Sequence, residues 1–187
     1  MCGRIDFSWD MPDPAALRLK LILTERFPQM PLPLGEACPG TRLPVLVPGT
    51  GKAEITLMDW GIPLSSGKLL INARAETAAE KPMFRDALAS RRAALPVSGF
   101  YEWTHDGARQ KFRFHLPDSS LLYLAVLFDS HDRFVILTEA ANSSMIDVHG
   151  RMPVILPPRT LRGWLSNPAK SREILSFGDP PLVREAI

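Results

Sequence analysis

Residues 93–138, AALPVSGFYEWTHDGARQKFRFHLPDSSLLYLAVLFDSHDRFVILT, decide the fold class of this 187-residue chain. They hold consecutive segments rich in β-branched and aromatic residues and separated by turn-forming residues, a pattern typical of strands. The segments lie at 93–97, 100–104, 110–116, 121–128 and 133–138. Asp106-Gly107 is a hairpin-turn signal between two of them. Such a run of strands without intervening helices predicts a largely antiparallel sheet or barrel rather than regular βαβ winding.

Helical and proline-rich segments surround this stretch. Asp13-Pro14 predicts an N-cap and first helical position, with the helix continuing to Phe27. Lys81-Pro82 opens a second helix that runs through Ala89. Further short strands are expected at 4–9, 53–58 and 68–72, and short helices at 158–165 and 169–176. Residues 28–48 are so dense in proline that we expect a loop or an edge there, not a central strand. The whole pattern predicts an α+β fold, in one domain spanning 1–187.

Composition restricts the function classes. With 45% hydrophobic and 22% charged residues, the chain is not disordered. The net charge of +2 excludes a histone-like polycation and confines any nucleic-acid site to a local basic groove. Two cysteines exclude a disulfide-stapled scaffold. Arg4, Asp6 and Asp10 interrupt any signal peptide, and the longest apolar run, 121–128, is too short to span a bilayer. We therefore expect a cytoplasmic protein without membrane contact.

Cys2 is the first candidate for chemistry. Removal of Met1 would leave a terminal cysteine, which carries an amine and a thiol on adjacent carbons. A free α-amine has a pKa of about 7.7–8.0 and is partly unprotonated near neutrality. Positive neighbours would lower the thiol pKa from its usual value of about 8.5. Such an aminothiol can condense with an aldehyde to a thiazolidine ring. The alternative is a free cysteine packed in the first strand.

Three further short motifs hold polar residues that are candidates for chemistry. Asn72 and Arg74 lie two apart on an extended segment and share a face, where they could bind a carbonyl and a phosphate; the alternative is a turn asparagine and a surface Arg74–Glu76 pair. Glu102 lies among aromatics and could act as a general acid or base, unless it faces solvent on an edge strand.

His149 could shuttle protons and Arg151 could bind an anion, although a single histidine is more often structural. The remaining histidines show no metal-ligand spacing, and the sequence has no phosphate-cradling glycine motif. We therefore predict no metal and no cofactor.

Together these motifs resemble the SRAP family, the SOS response-associated peptidases now regarded as abasic-site processing proteins. The matching elements, in chain order, are M-C-G-R at 1–4, W-G at 60–61, I-N-A-R-A-E-T at 71–77, K-P-x-F-R at 81–85, R-R at 91–92, G-F-Y-E-W at 99–103 and H-x-R-M-P at 149–153.

The resemblance implies an α+β fold around a mostly antiparallel, distorted β-barrel with a few flanking helices. It also implies binding of single-stranded DNA, or a single-strand/double-strand junction, that carries an abasic site, and hence association with the nucleoid. A thiazolidine crosslink to the lesion would protect it from strand cleavage. Oligomeric state is not encoded in the motifs, and a monomer is the simplest expectation.

The resemblance also assigns roles by position. Cys2 corresponds to the exposed nucleophile, Asn72 to the residue that positions its amine, Glu102 to the proton-transfer glutamate and His149 to the histidine that helps open the sugar. Arg4 and Arg74 correspond to phosphate-contacting arginines and Thr138 to a threonine near the lesion. Arg151 is expected to join this DNA-binding face. The arginines at positions 85, 91 and 92 are further candidates for the same face.

The chain departs from the family pattern in three places. Gly35-Glu36 stands where the family has Tyr-Asn, and the loop after Trp60-Gly61 is short and lacks a tryptophan that wedges against bases. The closing C-terminal strand is expected to be lost or reduced to 182–187. Because the missing tryptophan would stack on bases, weaker or less junction-selective DNA binding is expected. Two alternatives to covalent capture remain: an N-terminal cysteine hydrolase or autopeptidase acting on an amide, and a non-catalytic single-stranded DNA-binding paralogue.

Overall fold

The fold is described from a computed structural model, which covers residues 2–9, 13–29, 35–105, 107–118, 120–178 and 180–187. The strands are β1 (Ile5–Asp6), β2 (Glu36–Ala37), β3 (Arg42–Pro48), β4 (Ala53–Trp60), β5 (Ile62–Pro63), β6 (Leu69–Leu70), β7 (Asn72–Arg74), β8 (Arg92–Val97), β9 (Gly99–Trp103), β10 (Lys111–His115), β11 (Leu122–Phe128), β12 (Arg133–Ala140), β13 (Arg151–Pro153) and β14 (Val183–Ala186). The helices are α1 (Pro14–Arg26), α2 (Ala75–Ala78), α3 (Pro82–Ser90), α4 (Pro158–Ser166) and α5 (Ser171–Ile174), with a 3-10 turn at Pro168–Lys170.

The larger sheet closes into a distorted barrel. Its strands follow the order β11-β8-β3-β4-β12, and β12 pairs back with β11. Most neighbours are antiparallel, but β4 and β7 both pair with β12 in parallel. The closure buries large side chains from several strands, among them Trp60, Leu124 and Phe134. The predicted α+β fold with a mostly antiparallel, distorted barrel is thus confirmed.

A second sheet carries the start of the chain. Its order is β14-β10-β9-β1-β2, and all of its pairings are antiparallel. The first strand is shorter than the predicted 4–9 and lies between β9 and β2. The chain end pairs with β10 through β14, within the predicted 182–187. β9 is an interior strand of this sheet. As in any strand, its alternate residues face opposite sides of the sheet.

The prediction that residues 28–48 avoid a central strand was wrong for β3. This strand holds Pro44 and Pro48 and lies between β4 and β8. It pairs with β4 at seven positions but with β8 only at Leu46–Ala94. A proline lacks the N–H that a full ladder requires, and the minimal pairing with β8 accommodates both prolines.

The helices follow the sequence signals closely. Asp13 caps α1, with Oδ1 accepting a hydrogen bond from the Ala15 N–H at 2.7 Å. The segment predicted at 169–176 divides into the 3-10 turn and the shorter α5. The Asp106-Gly107 turn includes Asp106, which lies outside the described residues. No helix in the described part of the chain has the length and apolar character needed to cross a membrane.

Candidate active site at the chain start and the β7 groove

Asn72 holds the beginning of the chain against the barrel. Its side-chain Nδ2 donates a hydrogen bond of 3.0 Å to the Cys2 carbonyl oxygen, and both residues are buried. The parallel pairing of β7 with β12 fixes this position, with Asn72 opposite Ile136. Two segments separated by 70 residues of sequence therefore meet at one buried contact.

The thiol of Cys2 is fully buried, which differs from the exposed nucleophile that the resemblance implied. Burial raises the pKa of the Cys2 thiol well above its usual range, and the nearby Glu102 carboxylate raises it further. These two effects outweigh the lowering of the thiol pKa by positive neighbours that the sequence suggested. At neutral pH the neutral thiol is therefore the favoured form.

Glu102 lies in β9 between β1 and β10, so it is not on an edge strand. Alternation places Phe100 and Glu102 on the buried side, while Tyr101 and Trp103 are only partly buried. The backbone of β9 is joined to the chain start, because the Tyr101 N–H donates to the Arg4 carbonyl oxygen at 2.9 Å. Glu102 is thus a buried carboxyl close enough to the Cys2 thiol to raise its pKa.

A groove of about 470 Å³ opens beside Asn72, and we call it the site groove. Polar or charged groups come from Asn72, Arg74, Lys81 and Thr138. An apolar wall completes it, formed by Leu69, Leu70, Ile71, Ala73 and Phe84. Arg74 is exposed, whereas Asn72 and Thr138 are buried at its base. A cationic rim over a narrow, partly apolar floor suits a sugar-phosphate chain.

Next to the site groove, Arg151 makes hydrogen bonds to two residues, Glu76 and Thr138. Its guanidinium pairs with both carboxylate oxygens of Glu76, and Nη2 also donates to the Thr138 hydroxyl oxygen at 3.2 Å. Glu76 therefore pairs with Arg151, not primarily with Arg74 as spacing alone had suggested. The same Arg151 contact holds the pKa of the Glu76 carboxyl below its usual value.

His149 is oriented by the backbone of Arg151. His149 Nδ1 lies 3.0 Å from the Arg151 backbone nitrogen and 2.9 Å from the Arg151 carbonyl oxygen, so the tautomer of the ring decides whether Nδ1 accepts from the first or donates to the second. The ring of His105 lies 5.1 Å from the His149 ring, centroid to centroid. His149, Thr138 and Arg151 thus form one cluster, while Cys2, Asn72 and Glu102 form another. Thr138 and Asn72 both line the site groove between them.

Two of the expected phosphate-binding arginines have other environments. The Arg4 guanidinium lies 3.6 Å from Glu36 and does not line the site groove. Arg92 is buried, and its Nε donates to the Trp164 carbonyl oxygen at 2.7 Å. The expectation that position 92 could belong to a DNA-binding face was therefore wrong, because its guanidinium is enclosed by helix ends.

Sequence analysis left several residues around the site without a role. Lys81 and Phe84 belong to the K-P-x-F-R motif, which marked them but gave no function. Glu76 was considered only as a partner of Arg74, and His105 only as a metal ligand. Their contacts in the structure, with Arg151 and His149, join residues distant in sequence. The described residues contain no cluster of three or more histidine, cysteine or acidic side chains that could hold a metal ion.

Comparison with known proteins places this arrangement in a family. Residues 1–184 match the family model described as SOS response associated peptidase (SRAP). The chain belongs to the SRAP family, which confirms the resemblance of its motifs.

Named relatives agree with this assignment. Abasic site processing protein YedK of Escherichia coli (strain K12) is 30% identical over 185 aligned positions, which cover 92% of this chain and 83% of that protein. Abasic site processing protein YoqW of Bacillus subtilis (strain 168) is 37% identical over 117 positions, covering 57% of this chain and 52% of that protein.

Solved structures share the fold. A protein from Bacteroides thetaiotaomicron superimposes with a TM-score of 0.79 at 22% identity, covering all of this chain and 92% of that one. A phage-related protein from Bordetella bronchiseptica gives a TM-score of 0.75 at 27% identity, covering all of this chain and 94% of that one.

Proposed function

We propose that this protein binds single-stranded DNA, or a single-strand/double-strand junction, that carries an abasic site, and that Cys2 captures the lesion as a thiazolidine after removal of Met1. The observation that carries the proposal is the buried Asn72–Cys2 hydrogen bond beside Glu102. It fixes the backbone next to the reacting amine through Asn72, which also lines a groove with a cationic rim. The names of the family relatives point to the same lesion.

The chemistry begins at the amine, because the neutral form of the thiol is favoured. The ring-opened sugar offers an aldehyde carbon, which the Cys2 amine attacks to give a carbinolamine. Loss of water yields an imine and requires one proton for the departing oxygen. The thiol sulfur then bonds to the imine carbon, and the thiol proton ends on the nitrogen. One aldehyde and one aminothiol thus give one thiazolidine and one water, with no oxidant or metal.

In this proposal Glu102 delivers and recovers the protons near Cys2, and His149 assists opening of the sugar hemiacetal. Arg74 and Lys81 contact phosphates at the site groove, and Thr138 and Arg151 border the lesion. Arg4 contributes from the opposite side of the chain start. Because no base has to be recognised, phosphate contacts can supply most of the affinity. This allows a chain of net charge +2 to bind DNA through a local surface.

The alternative of an amide hydrolase is less well supported. Such enzymes need an activated thiolate, whereas burial and Glu102 both favour the neutral thiol of Cys2. The alternative of a non-catalytic binding protein predicts DNA affinity without a covalent product. Covalent capture and these two alternatives predict different products when the protein is incubated with an abasic oligonucleotide.

The test is incubation with an abasic single-stranded oligonucleotide, followed by a denaturing gel and mass spectrometry. We expect an adduct whose mass is protein plus DNA minus one water, with Met1 absent. Cys2→Ala should form no stable adduct. Both Cys2→Ala and Cys2→Ser keep the amine, so each should yield an adduct only when borohydride reduces the imine. An undiminished adduct from Cys2→Ala, or none from the wild type, would refute covalent capture.

A further inference from the structure

A second groove lies between α4, the 3-10 turn and α5, and we call it the helical groove. One part of it has a volume of about 470 Å³ and is lined by Arg159, Arg162, Lys170 and Phe177, among others. A neighbouring part of about 360 Å³ extends to the turn between β3 and β4 and adds Lys52. Arg162 and Ser166 of α4 line both parts, which therefore lie on adjacent flanks of this helix. None of these residues lines the site groove.

The helical groove carries an excess of positive charge. Arg159, Arg162, Lys170 and Lys52 all line it, against the single carboxylate of Glu173. Within the described chain, none of these four cations lies within 4.0 Å of a carboxylate oxygen. Most other exposed arginines differ in this respect. Arg42 pairs with Asp59, for example, and Arg184 with Asp147. Like charges that converge in a concave surface raise the local potential and attract a polyanion.

An exposed aromatic ring lies at the same place. Phe177 is 50% exposed, although phenylalanine is usually buried. It lines the helical groove together with Arg159 and Lys170. Cations that follow a phosphate backbone, combined with an aromatic face on which a base can stack, are the arrangement that binds single strands without sequence preference. An acidic protein tail would use the cations but would gain little from the ring.

Helix α3 connects the two grooves. Lys81 and Phe84 at its beginning line the site groove. At its other end, the Leu88 and Ala89 carbonyl oxygens accept hydrogen bonds from Arg92, whose guanidinium also binds the Trp164 carbonyl of α4. The nine residues of α3 span about 13 Å. Arg85, an exposed residue of the same helix, pairs with Asp86. Helix α3 therefore runs from the site groove to the helix that lines the helical groove.

We propose that the helical groove is a second DNA-binding surface, which holds the backbone of the single strand that continues beyond the lesion and stacks one of its bases on Phe177. This inference rests on the proposed function for the identity of the ligand. It assigns Arg159, Arg162 and Lys170 to phosphates and leaves the chemistry to Cys2. Oligonucleotides that reach both grooves should accordingly bind more tightly than those that fill only the site groove.

The test compares a double substitution, Arg162→Gln with Lys170→Gln, with a matched control, Arg18→Gln with Lys20→Gln on α1, whose side chains line neither part of the helical groove. Affinity for long undamaged single strands is measured by fluorescence anisotropy over a salt series. Each lost phosphate contact lowers the slope of log affinity against log salt by about 0.7, so the groove variant should lose about 1.4. The control should keep the wild-type slope. Phe177→Ala should weaken binding of long strands about tenfold.

Short abasic oligonucleotides separate this inference from the proposed function. The groove variant should crosslink them at the wild-type rate, since the site groove is intact. An unchanged salt slope in the groove variant, or equal wild-type affinity for short and long strands, would overturn the inference. If polyglutamate bound to the helical groove without displacing DNA, the surface would be assigned to an acidic protein instead. Absence of any crosslink by the wild type would refute the proposed function but would leave the salt slopes as a separate measurement.

Discussion

At the residue scale, the pair of Arg151 and Glu76 controls how much positive charge lies beside the site groove. Arg151 donates to both Glu76 carboxylate oxygens and to Thr138, so its charge is largely compensated. The two residues are 75 positions apart in sequence. Sequence spacing suggested an Arg74–Glu76 pair because only local separations are visible there. The actual partner depends on how β13 returns to β12, which no local pattern reveals.

Glu76→Gln should therefore strengthen binding of undamaged single-stranded DNA. Glutamine can keep a hydrogen bond to Arg151 but removes the compensating charge, so phosphates should meet a more positive surface. We expect a severalfold rise in affinity at low salt that fades at high salt. The measurement is fluorescence anisotropy. In an Arg151→Gln background the effect should vanish, and a weaker affinity of Glu76→Gln would contradict the interpretation.

The same pair has a predictable pH dependence. Because Arg151 lowers the pKa of Glu76 on folding, the pair stabilises the protein above the unfolded pKa of about 4.3 and is lost as the pH falls through the lowered folded value. Glu76 is half exposed, so the contribution is no more than about 1 kcal/mol. Wild type and Glu76→Gln should thus differ in stability near neutrality and converge in acid.

At the element scale, Arg92 joins the ends of two helices. It donates to the Leu88 and Ala89 carbonyls of α3 and to the Trp164 and Leu165 carbonyls of α4. Carbonyls at a helix end lack partners within the helix and are costly to bury without them. The sequence predicted both helices from their prolines and apolar spacing. It could not predict that a single arginine would serve both, since the R-R motif is equally compatible with phosphate binding.

Arg92→Gln should destabilise the protein by about 2–4 kcal/mol, because several buried carbonyls lose their donor at once. Arg91→Gln is the matched control. Arg91 donates from Nε to a single carbonyl, that of Phe128, and its loss should cost no more than about 1.5 kcal/mol. Urea unfolding measures both. Under conditions where the protein stays folded, the salt slope for DNA should not change in Arg92→Gln. A reduced slope would return Arg92 to the DNA-binding face.

At the scale of the whole molecule, a small junction closes the barrel and also supports the site. Only two residue pairs, Asp59–Arg133 and Trp60–Phe134, join β4 to β12. Gly61 follows with a φ of 117°, and a Cβ there would lie 3.2 Å from Leu69 Cβ, so both the backbone conformation and the space favour glycine. The sequence predicted β4, the run from β8 to β12 and a largely antiparallel arrangement, but not β3 or β13. It could not predict closure, because this junction joins segments far apart in the chain through so few pairs.

Trp60 links this closure to Cys2. Its ring is fully buried and stacks on Phe134 with centroids 6.4 Å apart, while Nε1 donates to the Ile71 carbonyl oxygen at 3.2 Å. Ile71 immediately precedes Asn72, which holds the chain start. The W-G motif therefore has a physical role: its tryptophan fixes the strand that carries Asn72, and its glycine lets the chain turn towards that strand.

Trp60→Phe should consequently impair both stability and crosslinking. The Ile71 carbonyl oxygen keeps the Ile136 N–H as a donor at 3.0 Å, so loss of the Nε1 hydrogen bond should cost about 0.5–1.5 kcal/mol. Trp164→Phe is a close control, because Trp164 is also fully buried and donates from Nε1 to one backbone carbonyl, that of Ala93. Both variants should lose similar stability in urea unfolding. Only Trp60→Phe should slow adduct formation with an abasic oligonucleotide at a temperature where both remain folded. Equal crosslinking rates would show that Trp60 acts through stability alone, with no influence on the placement of Asn72.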